Sequence, residues 1–359
     1  MQSLPDFEIK EFFVSVESNY NFHGILRVKL LRDRRYPFFD SYLEYVFSRY
    51  ETKTSEEPDL LIRLGGKPET FKNFYWVDGK YAVRENKIGY ETRYKSARWS
   101  VLIDGIESPK TVVSIGANLL ARPVLTGDTL YSLIRYKLAQ KKCVLLHASG
   151  ISVDGKGFFF AARGGVGKTI TAIRSVNRGA LLYGDDSVVI TGEGQMLGFS
   201  VPFNLRFHYD VEKMLGTRFP FSLRAEIGLK KLISFLTFGR YRLFTVLPPE
   251  KIYPQSLGEQ VNLNTAYLLK SGAEFKIEEA SDPELFLDQL IRIIQFESAE
   301  LIPLLRAYSH VYPGSAMLSF WPDLRKILKE ALNPVSCRQV TLPSVYEEKY
   351  FNAIWDQLL

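Results

Sequence analysis

Gly157-Phe158-Phe159-Phe160-Ala161, continuing into Ala162-Arg163-Gly164-Gly165-Val166-Gly167-Lys168-Thr169, is the stretch that decides how this chain folds. Its first five residues form a short unbroken apolar run, the pattern of a strand buried on both faces. The three glycines that follow let the backbone curl until its N–H groups point inward at an anion. Ile170–Arg178 then reads as a helix, whose positive end meets the same anion. Strand, glycine-rich loop, Lys-Thr and helix together form the context of a Walker A phosphate loop. Lys168 supplies a point charge for the β- and γ-phosphates of a nucleoside triphosphate. The Thr169 hydroxyl is a hard oxygen suited to Mg²⁺. The expected nucleotide contacts run through Ala162, Arg163, Gly164, Gly165, Val166, Gly167, Lys168, Thr169 and Ile170. Ala162 stands where such loops usually carry their first glycine.

Downstream, Gly179 is a helix stop, and Ala180-Leu181-Leu182-Tyr183 reads as a return strand ending at Gly184-Asp185-Asp186. About eleven helical residues carry the chain ~16 Å away from the loop, and a strand of about five residues brings it back. Asp185 and Asp186 are therefore expected at the carboxyl end of a parallel strand beside the phosphates, where α/β proteins bind ligands. Two acids there can hold Mg²⁺ and accept a proton. Upstream, Cys143–Ala148 reads as a strand carrying His147. Asp154-Gly155 signals a two-residue hairpin. Pairing Val153 with Lys156 and counting outward sets His147 opposite Ala162. Imidazole, lysine and paired acids all converge on the loop.

Further out, 1–125 reads as a β-rich domain for binding substrate or partner. Phe74-Tyr75-Trp76-Val77 and Trp99-Ser100-Val101-Leu102-Ile103 are its clearest strands, with Asp78-Gly79 and Asp104-Gly105 as turns. Asp40–Tyr50 is expected as a short helix. Residues 126–281 form the α/β core, opened by a helix over Asp128–Gln140 with Asp128 as N-cap. Residues 282–359 read as helical, over Asp282–Phe296, Ser298–Tyr308, Pro322–Leu332 and Val345–Leu358. Ile227–Phe238 is amphipathic and basic on one side, a pattern fitting a membrane surface or an acidic peptide, although a packed surface helix is the commoner outcome.

Composition narrows the class. No apolar run reaches the ~18–20 residues of a membrane span. The N-terminus has acids where a signal peptide needs a basic start, so a cytoplasmic location is expected. Cys143 and Cys337 are far apart, without the spacing of a zinc site or a disulfide framework. The net charge of +6 suits an acidic ligand. The basic residues do not gather into one run, so nucleic acid is not expected as a partner.

His147, Ser152-Val153, the Gly155-Lys156-Gly157 turn, the loop through Thr169, Arg178-Gly179 and Asp185-Asp186 together resemble the catalytic core of HPr kinase and its relatives. These are P-loop serine kinases of bacteria and archaea, structurally related to phosphoenolpyruvate carboxykinase. The match runs from about His147 to Val201. Pro202-Phe203-Asn204-Leu205-Arg206 and Ala266-Tyr267-Leu268-Leu269 look similar to weaker family features. The resemblance implies an α/β fold with a mixed sheet around the P-loop. It also implies ATP with Mg²⁺, and transfer of the γ-phosphate to a hydroxyl of a peptide, small protein or small molecule. By it, Asp185 is the general base, His147 orients it, Lys168 holds the transferring phosphate, and Thr169 and Asp186 hold Mg²⁺. Arg206 contacts the phosphoryl group. A homo-oligomer is implied too, since HPr kinases assemble as hexamers. Ile170 departs from the family, which carries an acid there. The Gly/Arg/Asn-rich stretch behind the family's phosphorylase activity is also missing, so a divergent relative with an acceptor other than HPr is expected. Two alternatives stay open: a nucleotide-gated regulatory or assembly subunit, and a plain ATPase.

Overall fold

Leu26, Val28 and Leu30 alternate with less buried neighbours and turn to the core, as do Leu60, Ile62 and Leu64; this period of two marks strands with one buried face. A computed structural model describes residues 14–33, 47–54, 56–65, 71, 73–94, 97–118, 130–199, 203–205, 219, 221–236, 245–247 and 249–359. It is a mixed α/β protein with two mixed sheets. The main helices are α1 (Tyr131–Gln140), α2 (Lys168–Val176), α3 (Phe221–Leu236), α4 (Pro283–Phe296), α5 (Leu301–Val311), α6 (Phe320–Leu332) and α7 (Glu348–Trp355). The chain divides into two units, one of Met1–Lys141 with Ser298–Pro322, the other of Lys142–Glu297 with Asp323–Leu359.

The first unit is built on β1 (Val14–Phe22), β2 (Leu26–Asp33), β3 (Glu51–Thr52), β4 (Leu60–Leu64), β5 (Tyr75–Val77), β6 (Tyr81–Arg84), β7 (Lys87–Tyr94), β8 (Ala97–Asp104) and β9 (Thr111–Ala117). They lie in the order β3-β1-β2-β4-β9-β8-β7-β6-β5. The pairings are antiparallel apart from β2 with β4 and β4 with β9. Helices α1 and α5 belong to the same unit, where Arg135 donates to Ser298 Oγ at 2.8 Å and the Asn86 N–H donates to Tyr308 Oη at 3.1 Å. The expected cap Asp128 lies outside the described residues. So does most of Asp40–Tyr50, whose described end is a single 3-10 turn at Ser48–Tyr50.

The second unit carries β10 (Cys143–Leu146), β11 (Ala148–Val153), β12 (Lys156–Ala161), β13 (Leu181–Gly184), β14 (Val188–Thr191), β15 (Gln195–Leu197), β16 (Phe203–Leu205), β17 (Thr245–Leu247), β18 (Gln260–Ser271), β19 (Lys276–Glu279) and β20 (Ser336–Leu342). Its centre runs β13-β11-β12-β18-β20-β19, with β12, β18 and β20 mutually parallel. The first residues of β18 pair with β15, which leads through β14 to β10. Phe158, Phe160 and Ile173 are fully or almost fully buried between β12 and α2, with Tyr267 stacked on Phe160.

Three expectations need correction. The tail is not wholly helical, because Ser336–Leu342 inserts as β20 beside β18. The partner of that strand lies some seventy residues upstream, and a local reading of the tail has no access to it. Cys143–Ala148 is not one strand: the chain bends at His147, so that β10 pairs with β14 and β11 with β12 and β13. Finally, β13 has no parallel neighbour among the central strands. It pairs with antiparallel β11, which lies between it and β12. Two reversals restore the direction, so β13 still runs the same way as β12, and both end at the same edge. No helix among the described residues is long and apolar enough to cross a membrane.

Candidate active site at the carboxyl edge of the second sheet

The hairpin register sets the site. Val153 pairs with Lys156 and Ala148 with Ala161 across β11 and β12, so His147, just before β11, and Ala162, just after β12, lie at the same edge. Gly165 and Gly167 take φ of +86° and +108°, conformations that favour glycine. Gly167 is also the N-cap of α2 and no side chain caps it. The cap residue thus takes up none of the first N–H groups of the helix, the groups that an anion at a helix N-terminus uses. Gly184 is needed for another reason: a Cβ there would lie 2.1 Å from the Ser187 carbonyl oxygen. The chain turns sharply at that point, and Asp186 follows at φ +61°, a region that aspartate tolerates better than most residues.

Lys168 is buried, with its Nζ donating to the Ala162 carbonyl at 2.9 Å. The same Nζ is 3.0 Å from His147 Nε2 and 3.9 Å from Asp186 Oδ1. The other imidazole nitrogen, Nδ1, lies 2.9 Å from the Asp186 carbonyl oxygen. A carbonyl only accepts, so Nδ1 carries the proton and Nε2 turns its lone pair to the lysine. Burial and the Lys168 charge hold the histidine below its ordinary pKa, which keeps this neutral tautomer. Burial also lowers Lys168, against the pull of Asp186, Asp185 and Glu297.

Asp185 occupies the other side. Thr169 Oγ1 donates to its Oδ2 at 2.9 Å and lies 3.0 Å from Oδ1, while Ser149 Oγ donates to Oδ1. Burial first, then the negative charge of Asp186, push the Asp185 carboxyl up to about 7, against Ser149, Thr169 and Lys168. Asp186 is far more open, with 45% of its side chain exposed. Of the loop residues, Arg163, Gly164 and Gly165 are exposed, Val166 and Ile170 half-buried, and Ala162 buried.

No protein-family model matches the chain, and no curated protein does. Among solved structures, the HPr(Ser) kinase/phosphatase from Coxiella burnetii is similar to it at 10% identity and a TM-score of 0.22, over 60% of this chain and 92% of that one.

The donors suit a hard divalent ion. Among the described residues no cluster of three or more His, Cys, Asp or Glu could hold a metal, but Mg²⁺ commonly takes one or two carboxylates and draws its other ligands from phosphates and water. Thr169 and the paired acids match that chemistry. The threonine hydroxyl, expected on Mg²⁺ with Asp186, donates its proton to Asp185 and keeps its lone pairs. Arg206 lies outside the described residues.

Several residues here carry no sequence signal of a role. Ser149 is an ordinary strand serine until β13 brings Asp185 to it. Glu297 closes α4 and sets its Oε1 3.8 Å from His147 Nε2. Its neighbour Phe296 stacks under the Arg163 guanidinium, 3.7 Å from ring centroid to Cζ. Tyr346, four residues past β20, bonds Thr171 Oγ1 at 2.8 Å and lies against Gly167.

Proposed function

We propose that this protein is an ATP-dependent kinase that transfers the γ-phosphate to a hydroxyl of a peptide, small protein or small molecule. One observation carries the reading: two bonded chains, Lys168–His147–Asp186 and Thr169–Asp185–Ser149, meet beside the phosphate loop at one edge of the sheet. Phosphoryl transfer needs little covalent help from protein. It needs positioned charge and an oriented acceptor. In this reading the loop N–H groups and Lys168 hold the phosphates. Asp185, fixed by two hydroxyl donors, is the general base that takes the acceptor's proton. His147, fixed by the Asp186 carbonyl, keeps the lysine and the second acid in place. Thr169 with Asp186 is the proposed Mg²⁺ set, and the ion when bound would neutralise phosphate charge.

The test is incubation with γ-labelled ATP, Mg²⁺ and a pool of serine-containing peptides and small alcohols. Label is expected in an acceptor, lost in Asp185→Asn while nucleotide binding persists. Free phosphate released at the same rate with or without acceptor would replace the kinase with an ATPase. Nucleotide binding without either product would leave a nucleotide-gated regulator.

A further inference from the structure

We propose that α3 is a docking element that lays this unit against an anionic lipid surface. The inference does not depend on the kinase reading. Helix α3 is apolar on both sides. Leu223 and Ile227 face inward and pack against the core around β12. Phe221, Leu229, Leu232, Phe235 and Leu236 point the other way and are 51–83% exposed. They recur mostly three or four residues apart, with exposed Ala225 and Gly228 between them, so they form one stripe along the helix. The other exposed large apolar side chains among the described residues stand singly or, at Tyr75 and Trp76, as a pair. A contiguous stripe of this size marks an interaction surface.

Charge selects the occupant. Arg224 and Lys231 flank the stripe on one side, with the Arg224 Nε donating to the Phe219 carbonyl. The helix's one acid, Glu226, is half exposed and is bonded by Lys230. The stripe thus joins Phe and Leu side chains to flanking cations, and the one acid of the helix is already bonded by Lys230. A lipid surface bearing negative headgroups accepts both features: the ring and leucine side chains enter the acyl boundary and the cations meet phosphates. In the sequence, Arg240 and Arg242 follow the helix and extend its basic character.

The experiment is co-sedimentation of the full chain with vesicles of phosphatidylcholine alone or with one quarter phosphatidylglycerol. Binding to the anionic vesicles is expected to exceed binding to the neutral ones by about tenfold or more, and to weaken as salt rises from about 0.1 to 0.5 M. The double variant Leu232→Ser, Phe235→Ser should lose about tenfold or more of that binding. Its melting temperature and nucleotide affinity should stay at the parent values. Lys231→Glu should lose severalfold. Equal binding to both vesicle types, or none, overturns the proposal. So does a double variant that melts much earlier, since the stripe would then be structural. A concentration-dependent dimer broken by the double variant, without vesicle binding, would assign the stripe to a second copy instead.

Discussion

Lys137 in the first unit and Lys168 in the second are 2% and 4% exposed, and burial holds both below the ordinary lysine pKa, Lys137 at about 8. Their surroundings differ. Lys137 Nζ donates to the carbonyls of Ser108 and Pro109 and to Gln140 Oε1, so three neutral acceptors use its three N–H groups. Lys168 shares its donors between a loop carbonyl and an imidazole nitrogen, with the open Asp186 carboxylate at 3.9 Å. The first lysine fastens a turn to a helix. The second sits among titratable groups beside exposed backbone. A buried cation alone therefore marks nothing; what its neighbours are, and which sheet edge it occupies, separates structure from chemistry.

That contrast can be broken in several places. The largest expected effect is Asp185→Asn, which should lower phosphoryl transfer by ~10²–10⁴-fold while leaving nucleotide affinity near the parent value. Turnover within a few-fold of the parent would remove Asp185 from the chemistry. Lys137→Ala should come next, destabilising the first unit by ~2–4 kcal/mol in denaturant melts, since it empties a packed site and strands two carbonyls. Nucleotide affinity should not move. Lys168→Ala should do the reverse, weakening nucleotide binding ~10–100-fold with a stability change under ~1 kcal/mol. If both alanine variants lose stability alike, the two lysines belong to one class and the contrast fails.

Titration sharpens it. Below pH 8, Lys137 is charged both folded and unfolded, and the folded state carries the burial cost. As pH rises through about 8 the folded chain releases this proton first. The unfolded chain then binds more protons, so this lysine's contribution to stability rises with pH up to the ordinary lysine range. The gain should be up to about 3 kcal/mol, and Lys137→Met should flatten it in unfolding measured across that window. An identical slope in the variant would assign the effect elsewhere. The smallest effect is expected at Phe296→Leu, which keeps apolar bulk but removes the ring under Arg163. A two- to fivefold loss of nucleotide affinity is expected, from a stacking contact of ~0.5–1 kcal/mol; a loss beyond about tenfold would mean that the ring touches the nucleotide itself.

Elements with local chemistry were legible. Helix α4, expected over Asp282–Phe296, begins where Asp282 accepts from the N–H groups of Glu284 and Leu285. The Asp154-Gly155 turn carried the register of β11 and β12 as far as His147, because a tight hairpin leaves no freedom between its two ends. The long-range partners were not legible. Glu297 is an unremarkable acid after a helix, and only the packing of α4 brings it to the histidine. Ser149 gains a partner only when β13 returns beside β11. Tyr346 reaches the loop because β20 runs parallel to β18, a pairing between segments that share no local pattern. In α3 the helical period was readable, but a second apolar stripe left facing solvent was not, because periodicity does not say which side a core will cover.

Taken alone, the order of residues determined a strand, a glycine-lined turn, a lysine and a helix, since each rests on neighbours within a few positions. Only the folded sheet decided that Thr169 bonds Asp185, that Asp186 is left open, and that Ser149, Glu297 and Tyr346 join them. The reason is geometric: these contacts depend on strand order and direction across tens to more than a hundred residues, and side-chain spacing along the chain carries no record of that.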